Sequence, residues 1–244
     1  MLQPIEVKLQ SPTRIIAHRG LSGIAPENTI PAFIEAGKHG YYGTECDFHV
    51  TKDGQFAVFH DSTLERMTDG QGYIKDYTYE ELLNFTIDAG NNIESYPNLK
   101  IPLLEEYIDI CIKYNMVPVI EIKTVRDNSD LDRFIDLLKA KGIFDKVHVI
   151  SFVLDYLLYL RSKEPELTIF YLVEHITDEV LNICINHNLH IDALVKYLSP
   201  EIIQACRNSN ILLNTYTVDY KEIAELLNLH KVDFITSNIL IESK

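Results

Sequence analysis

The spacing of apolar residues changes character along this chain, and each change marks an element. Arg14-Ile15-Ile16-Ala17-His18 is short and β-branched, which predicts a buried strand. It breaks at Arg19-Gly20, and a loop with Gly23 and Pro26 follows. Asn28 is the expected N-cap of a helix that lines up Ile30, Phe33, Ile34 and Gly37 on one face. Two runs rich in β-formers then flank Asp53-Gly54, a dipeptide suited to a two-residue hairpin turn. With that turn Lys52 faces Gln55, and counting outward places Asp47 opposite His60. Side chains alternate along a strand, so Glu45, Asp47 and His60 are expected on one face, with Cys46 and Phe48 on the other.

From Ser62 to Lys100 the pattern loosens. One short helix opens there with a capping box, Thr78 and Glu81, and the rest reads as loop. An excursion of that length inside a compact domain is expected to be functional, as a lid or small inserted module. Beyond it, Leu103, Leu104, Tyr107, Ile108, Cys111 and Ile112 make a helical stripe, with Pro102 at the first helical position. Strand and helix then alternate. Strands are predicted around Ile15, Glu45, Val119, Val149, Ile169, Ala193, Leu213 and Phe234, nearly all followed by helices. Eight such units in 244 residues predict an α/β fold, a TIM (β/α)8 barrel, as one domain over 1–244 with 62–100 as a small inserted segment. A doubly wound open sheet is the alternative. No glycine-rich nucleotide fingerprint follows any strand to favour it.

Composition narrows the partners. The formal charge is −14, from 36 acidic against 22 basic residues, which argues against nucleic acid and anionic membrane surfaces. Met1 to Arg14 has no apolar run like that of a signal peptide, and no stretch approaches a membrane span, so a cytoplasmic protein without membrane insertion is expected. Cys46, Cys111, Cys184 and Cys206 lack metal-ligand spacing and are expected as reduced core residues. A homodimer is left open.

The chemistry gathers at strand ends. His18, Glu45, Asp47 and Glu121 all fall near the C-terminal ends of different predicted strands, where barrels place their active sites. Three carboxylates with no soft ligand suit a hard divalent cation such as Mg2+ or Ca2+. Without a cation they would repel one another, with only Lys123 and Arg19 to balance them. A lone histidine at a strand end is usually structural, but His18 and His60 beside three acids suit general acid–base roles. Asp61 could orient His60 or cap the turn. Arg19 is suited to bidentate contact with phosphate and could also pair with Glu27. Lys123 shares a strand face with Glu121 and can reach phosphate oxygens. His49 is left out of the site, and the remaining histidines are read as structural or surface.

Together these fragments form a recognisable order. His18-Arg19-Gly20, Pro26-Glu27-Asn28-Thr29, Glu45-x-Asp47, Thr51-Lys52-Asp53-Gly54, His60-Asp61 and Glu121-Ile122-Lys123 follow one another as in the glycerophosphodiester phosphodiesterase family. Ile101-Pro102-Leu103-Leu104-Glu105-Glu106 and Ser151-Phe152 also fit, so the chain resembles that family over nearly its whole length. The resemblance implies a TIM barrel with an insertion after the second strand. It implies metal-dependent hydrolysis of glycerophosphodiesters to an alcohol and sn-glycerol 3-phosphate, with Glu45, Asp47 and Glu121 on the metal. Action on lysophospholipids is an alternative that would need an apolar groove, built by Tyr73, Tyr77, Tyr79 and Phe85. An inactive barrel that binds a phosphorylated ligand is another. Two departures stand out: Tyr216-Thr217-Val218-Asp219 replaces the usual Trp-Thr-Val-Asn, and Thr236-Ser237-Asn238-Ile239 replaces a Thr-Asp followed by Pro. Both lie on late strands, so they are expected to affect substrate fit more than chemistry.

Overall fold

In the computed structural model, which describes residues 3–243, eight parallel strands close into a barrel. A short strand β1 (Ile5–Val7) precedes it. Strand β2 (Arg14–Ala17), helix α1 (Ile30–Lys38) and strand β3 (Gly43–Val50) begin the barrel, and β4 (Phe56–Val58) folds back antiparallel on β3. The inserted stretch holds α2 (Tyr79–Leu82) and leads to α3 (Leu104–Tyr114). Then come β5 (Val117–Thr124), α4 (Asn128–Ala140), β6 (His148–Ser151), α5 (Leu154–Lys163), β7 (Thr168–Val173) and α6 (Asp178–His187). The chain finishes with β8 (His190–Leu194), α7 (Pro200–Asn208), β9 (Leu213–Tyr216), α8 (Lys221–Leu229), β10 (Phe234–Ser237) and a short β11 (Leu240–Glu242). All eight strands expected from periodicity are present, and β2 closes the ring by pairing with both β10 and β3.

Apolar burial is divided into three layers. The largest lies between the strands and the surrounding helices, and all four cysteines are buried and free there. A second fills the barrel interior, where Phe170 and Phe234 lie 6.1 Å apart and His148 packs 5.1 Å from each. Filling the lower barrel with rings makes it a packed core, so an open site has room only at the mouth. The third belongs to the inserted stretch, whose Leu64, Met67, Ile74, Leu82 and Ile87 pack on Phe59 and Ile101. The Thr78–Glu81 capping box that starts α2 is formed on both sides. Tyr77 and Phe85 pack edge to face within this cluster and Tyr79 bonds the Ile101 carbonyl. These rings therefore contribute to the segment's own core. Tyr73 stays half exposed.

Three local expectations are corrected. The cap of α1 is Thr29, whose hydroxyl accepts from the Ala32 N–H; Asn28 sits just before it, with φ 54. Pro102 lies outside α3, whose cap is Leu103. The hairpin register differs by one residue. Thr51 pairs with Gln55 across a three-residue loop closed by Gly54 at φ 87, and His49 stands opposite Ala57. Gly54 accepts the left-handed conformation without penalty, so the longer loop is as natural as the two-residue turn.

Candidate active site

Beneath the mouth of the barrel, Glu45 and Asp47 on β3 and Glu121 on β5 converge. One oxygen from each lies within 4.8 Å of the others, the one metal-ligand cluster of this kind among the described residues. Register explains the meeting, because Asp47 stands directly beside Glu121 across the β3–β5 pair and Glu45 lies two residues back on the same face. Tyr107 of α3 holds the two strands together, donating to the Thr44 carbonyl at 2.5 Å and accepting from the Val119 N–H at 3.1 Å.

The three carboxyls differ in charge preference. Burial, followed by repulsion from Asp47 and Glu121, pushes Glu45 well up. Burial and then Asp47 push Glu121 up to about 8, against the pull of Lys123. Burial alone would raise Asp47 too, but Lys123 and Arg19 outweigh it and bring it down to about 2. Lys123 lies 2.8 Å from Glu121 and 3.6 Å from Asp47, while the Arg19 Nε is also 3.6 Å from Asp47. Those two longer separations exceed a hydrogen bond, and both Arg19 Nε and Asp47 Oδ1 are buried with no partner. Arg19 Nε faces Asp47 Oδ2, which Asn28 already bonds, and Asp47 Oδ1 faces Lys123, so a buried donor and a buried carboxylate oxygen each have capacity for a ligand. The donor set fits a hard divalent ion: three oxygens, no sulfur, and an excess of negative charge.

His18, Arg19, Glu45, His60, Glu121 and Lys123 line one cavity of about 280 Å³, and Asp47 is buried among them. The seven residues expected from the sequence are thus together. Arg19 takes φ 56, donates its N–H to Glu45 at 2.8 Å, and pairs with Glu27 at 2.9 Å as anticipated. His60 reaches the cavity from beyond the end of β4, not from a position opposite Asp47; it is Phe59 whose N–H bonds the Asp47 carbonyl. The Nδ1 of His60 lies 2.7 Å from Asp61, a carboxylate shared with Arg66. His18 is partly buried in the cavity wall, and burial, then Arg19, lower it to about 4.

Three sets of residues were not anticipated. Asn28, read as a helix cap, instead donates to Asp47 Oδ2 at 2.8 Å and accepts from the Asp47 N–H. His49, set aside, is buried with Nε2 on the His60 carbonyl at 3.1 Å and Nδ1 on the Thr124 hydroxyl at 3.0 Å, so it fixes the backbone that carries His60. An extra residue in β5 after Ile122 puts Thr124 beside His49, a pairing that strict alternation could not foresee. The third set is Asp219, Ser237 and Asn238, at the two departures; Asn238 lies 2.8 Å from His18. These changes bear on a histidine of the site, not only on substrate fit.

Comparison with known proteins gives the family and the fold. Residues 18–240 match the glycerophosphoryl diester phosphodiesterase family. The chain belongs to that family. It is 36% identical over 160 residues to a glycerophosphodiester phosphodiesterase of Caldanaerobacter subterraneus, covering 64% of this chain and 65% of that one. It is 34% identical over 157 residues to YqiK of Bacillus subtilis, covering 64% of each. The aligned part thus spans just under two thirds of the length of these two relatives. A solved Oleispira antarctica phosphodiesterase, in complex with the product sn-glycerol-3-phosphate, superposes with a TM-score of 0.86 at 26% identity over 95% of this chain and 94% of that one. Family membership thus rests on sequence, and the barrel on both sequence and shape. No helix among the described residues is long and apolar enough to cross a membrane.

Proposed function

We propose that this protein is a metal-dependent phosphodiesterase that hydrolyses glycerophosphodiesters to an alcohol and sn-glycerol 3-phosphate. The observation that carries this reading is the convergence of His18 and His60 on a cavity that also holds three carboxylates and two cations. The product named for the Oleispira antarctica relative agrees with it. A phosphodiester anion repels a nucleophile and has a poor alkoxide leaving group. Glu45, Asp47 and Glu121 would hold a divalent cation, Mg2+ or Ca2+, whose charge polarises the phosphoryl oxygen when bound. Arg19 and Lys123 flank the carboxylates and supply charge for the remaining phosphate oxygens.

The two histidines then divide the proton transfers. His18 is held neutral by burial and Arg19, and its Nδ1 is engaged, so Nε2 is available to accept a proton from the attacking hydroxyl, whether water or the substrate's own glycerol hydroxyl. His60 is oriented by Asp61 at 2.7 Å and delivers a proton to the departing alkoxide. The deciding experiment is phosphate-ester release from glycerophosphocholine, glycerophosphoethanolamine and a lysophospholipid, with and without chelator. Chelator-sensitive release from the first two is expected. Turnover only of the lysophospholipid would favour the alternative substrate class, and turnover indifferent to exhaustive chelation would end the metal assignment.

A further inference from the structure

Three residues from the late strands, Asp219, Ser237 and Asn238, are bonded to one another, and Asn238 reaches His18. Asp219 follows β9, while Ser237 ends β10 and Asn238 comes just after it. Asp219 Oδ1 accepts from the Ser237 hydroxyl at 3.0 Å and from the Asn238 N–H at 2.8 Å. Its Oδ2 lies 2.6 Å from the Asn238 side chain. On the other side, Asn238 is 2.8 Å from His18 Nδ1 and accepts from the Ser22 hydroxyl at 2.9 Å.

Donor and acceptor rules fix every orientation in this chain. A carboxylate has no proton to give, so the Asn238 atom beside Asp219 must be its NH2. The other side-chain atom of Asn238 is then its carbonyl oxygen, which can only accept. His18 must therefore carry its proton on Nδ1, and Nε2 keeps its lone pair. We propose that Asp219 and Asn238 are positioning residues that lock the tautomer of His18, leaving Nε2 as the proton acceptor. This rests on the reading of His18 as general base. Without Asp219, the Asn238 amide could turn over and present NH2 to His18, which would then hold its proton on Nε2 and lose its function as a base.

The test separates the tautomer from the activity. Imidazole 15N spectra of histidine-labelled protein report the tautomer directly, with the His18 signals identified by their loss in His18→Gln. The wild type should show His18 protonated on Nδ1 alone. Asp219→Asn and Asn238→Ala should both admit the Nε2–H form. On glycerophosphocholine they should lower kcat roughly 10- to 100-fold with little change in KM, the usual effect of losing an orienting partner. The exchange Asp219→Asn with Asn238→Asp reverses the polarity of the bond but still offers His18 Nδ1 an acceptor. It should restore the Nδ1–H tautomer and most of kcat. It should also move the acid limb of the kcat–pH profile upward, because a carboxylate now faces the imidazole; a merely structural role would not produce that shift. The proposal is overturned if His18 keeps Nδ1–H in both single variants, or if the exchange restores neither tautomer nor rate. If the tautomer responds as described but the wild type hydrolyses none of the esters, the positioning device stands and the proposed function fails.

Discussion

Strands β3 and β5 gather three carboxylates beside Arg19 and Lys123, while β8 buries a single carboxyl, Asp192, with no cation beside it. Both groups line or underlie the same cavity. In the first, each burial cost is partly answered: Asp47 has two cations and the Asn28 amide, and Glu121 has Lys123. In the second, Asp192 accepts one bond from Asn214 at 2.7 Å, and its other oxygen is buried without a partner. Its carboxyl is pushed up to about 7 by burial, with the Asn214 bond acting the other way. Asn214 continues the line to Thr236 on β10, so the polar residues here form a short ladder across the barrel. The contrast separates buried charge that is answered by cations from buried charge that is merely tolerated. Removing a carboxylate should cost function in the first half and improve stability in the second.

The largest effect should come from the carboxylate trio. Glu121→Gln relieves repulsion with Asp47 and keeps the side-chain volume, so the fold should survive with thermal stability unchanged or raised in the absence of metal. Metal affinity should fall, and with it turnover by several orders of magnitude at limiting metal. Calorimetric titration with Mg2+ and Ca2+, beside the ester-release assay, checks both halves. Full activity of this variant at limiting metal would remove Glu121 from the ligand set and blur the contrast with Asp192.

Next in size is the histidine pair. Removing either His18 or His60 should lower kcat by roughly two to four orders of magnitude, the usual range for positioned proton transfer. The losses should separate on a nitrophenyl ester, whose acidic leaving group departs without a proton. The variant lacking His60 should recover much of its rate there, while the variant lacking His18 should not. Severe, equal losses on both substrates would mean that the histidines chiefly hold the phosphate. The opposite pattern, recovery by the His18 variant, would exchange their roles.

Periodicity was enough for the barrel because each strand is a short β-branched run and each helix carries an apolar stripe. The strand ends then follow, and with them Glu45, Asp47, Glu121, His18 and Lys123. A two-residue turn brings His60 to the site through a register that the hairpin does not have. Its place depends on a three-residue loop and on the path after Val58, and loop length is not written in the Asp53-Gly54 dipeptide. Asn28 was missed for a related reason: an asparagine before a helix satisfies the capping rule, and only its φ of 54 sends the side chain to Asp47. Strands β1 and β11 left no usable pattern, since three residues paired across the whole chain length carry no periodicity. Asp219 and Asn238 were visible as departures, but their bond to each other is a matter of tertiary placement.

The smallest of the expected effects is on stability, and it concerns Asp192. In the unfolded chain its carboxyl titrates near the ordinary aspartate value of 3.8, and in the folded protein burial raises it to about 7. Between those values the native state holds a proton that the unfolded chain has released. Stability therefore falls as pH rises through this window, and the penalty is complete above about pH 7. Each unit of difference is worth about 1.4 kcal/mol, so burial of this one ionised group costs at most about 4 kcal/mol; relaxation around it would leave about 1–3 kcal/mol. Asp192→Asn keeps an acceptor for Asn214 and removes the ionisation. It should raise the free energy of unfolding at pH 8 by that amount and by clearly less at pH 5, measured by urea denaturation under equal metal. A gain equal at both pH values would show that volume or hydrogen bonding, not charge, sets the effect. A loss at pH 8 would mean that the ionised Asp192 has a partner in solution, and the two halves of the site would then be alike.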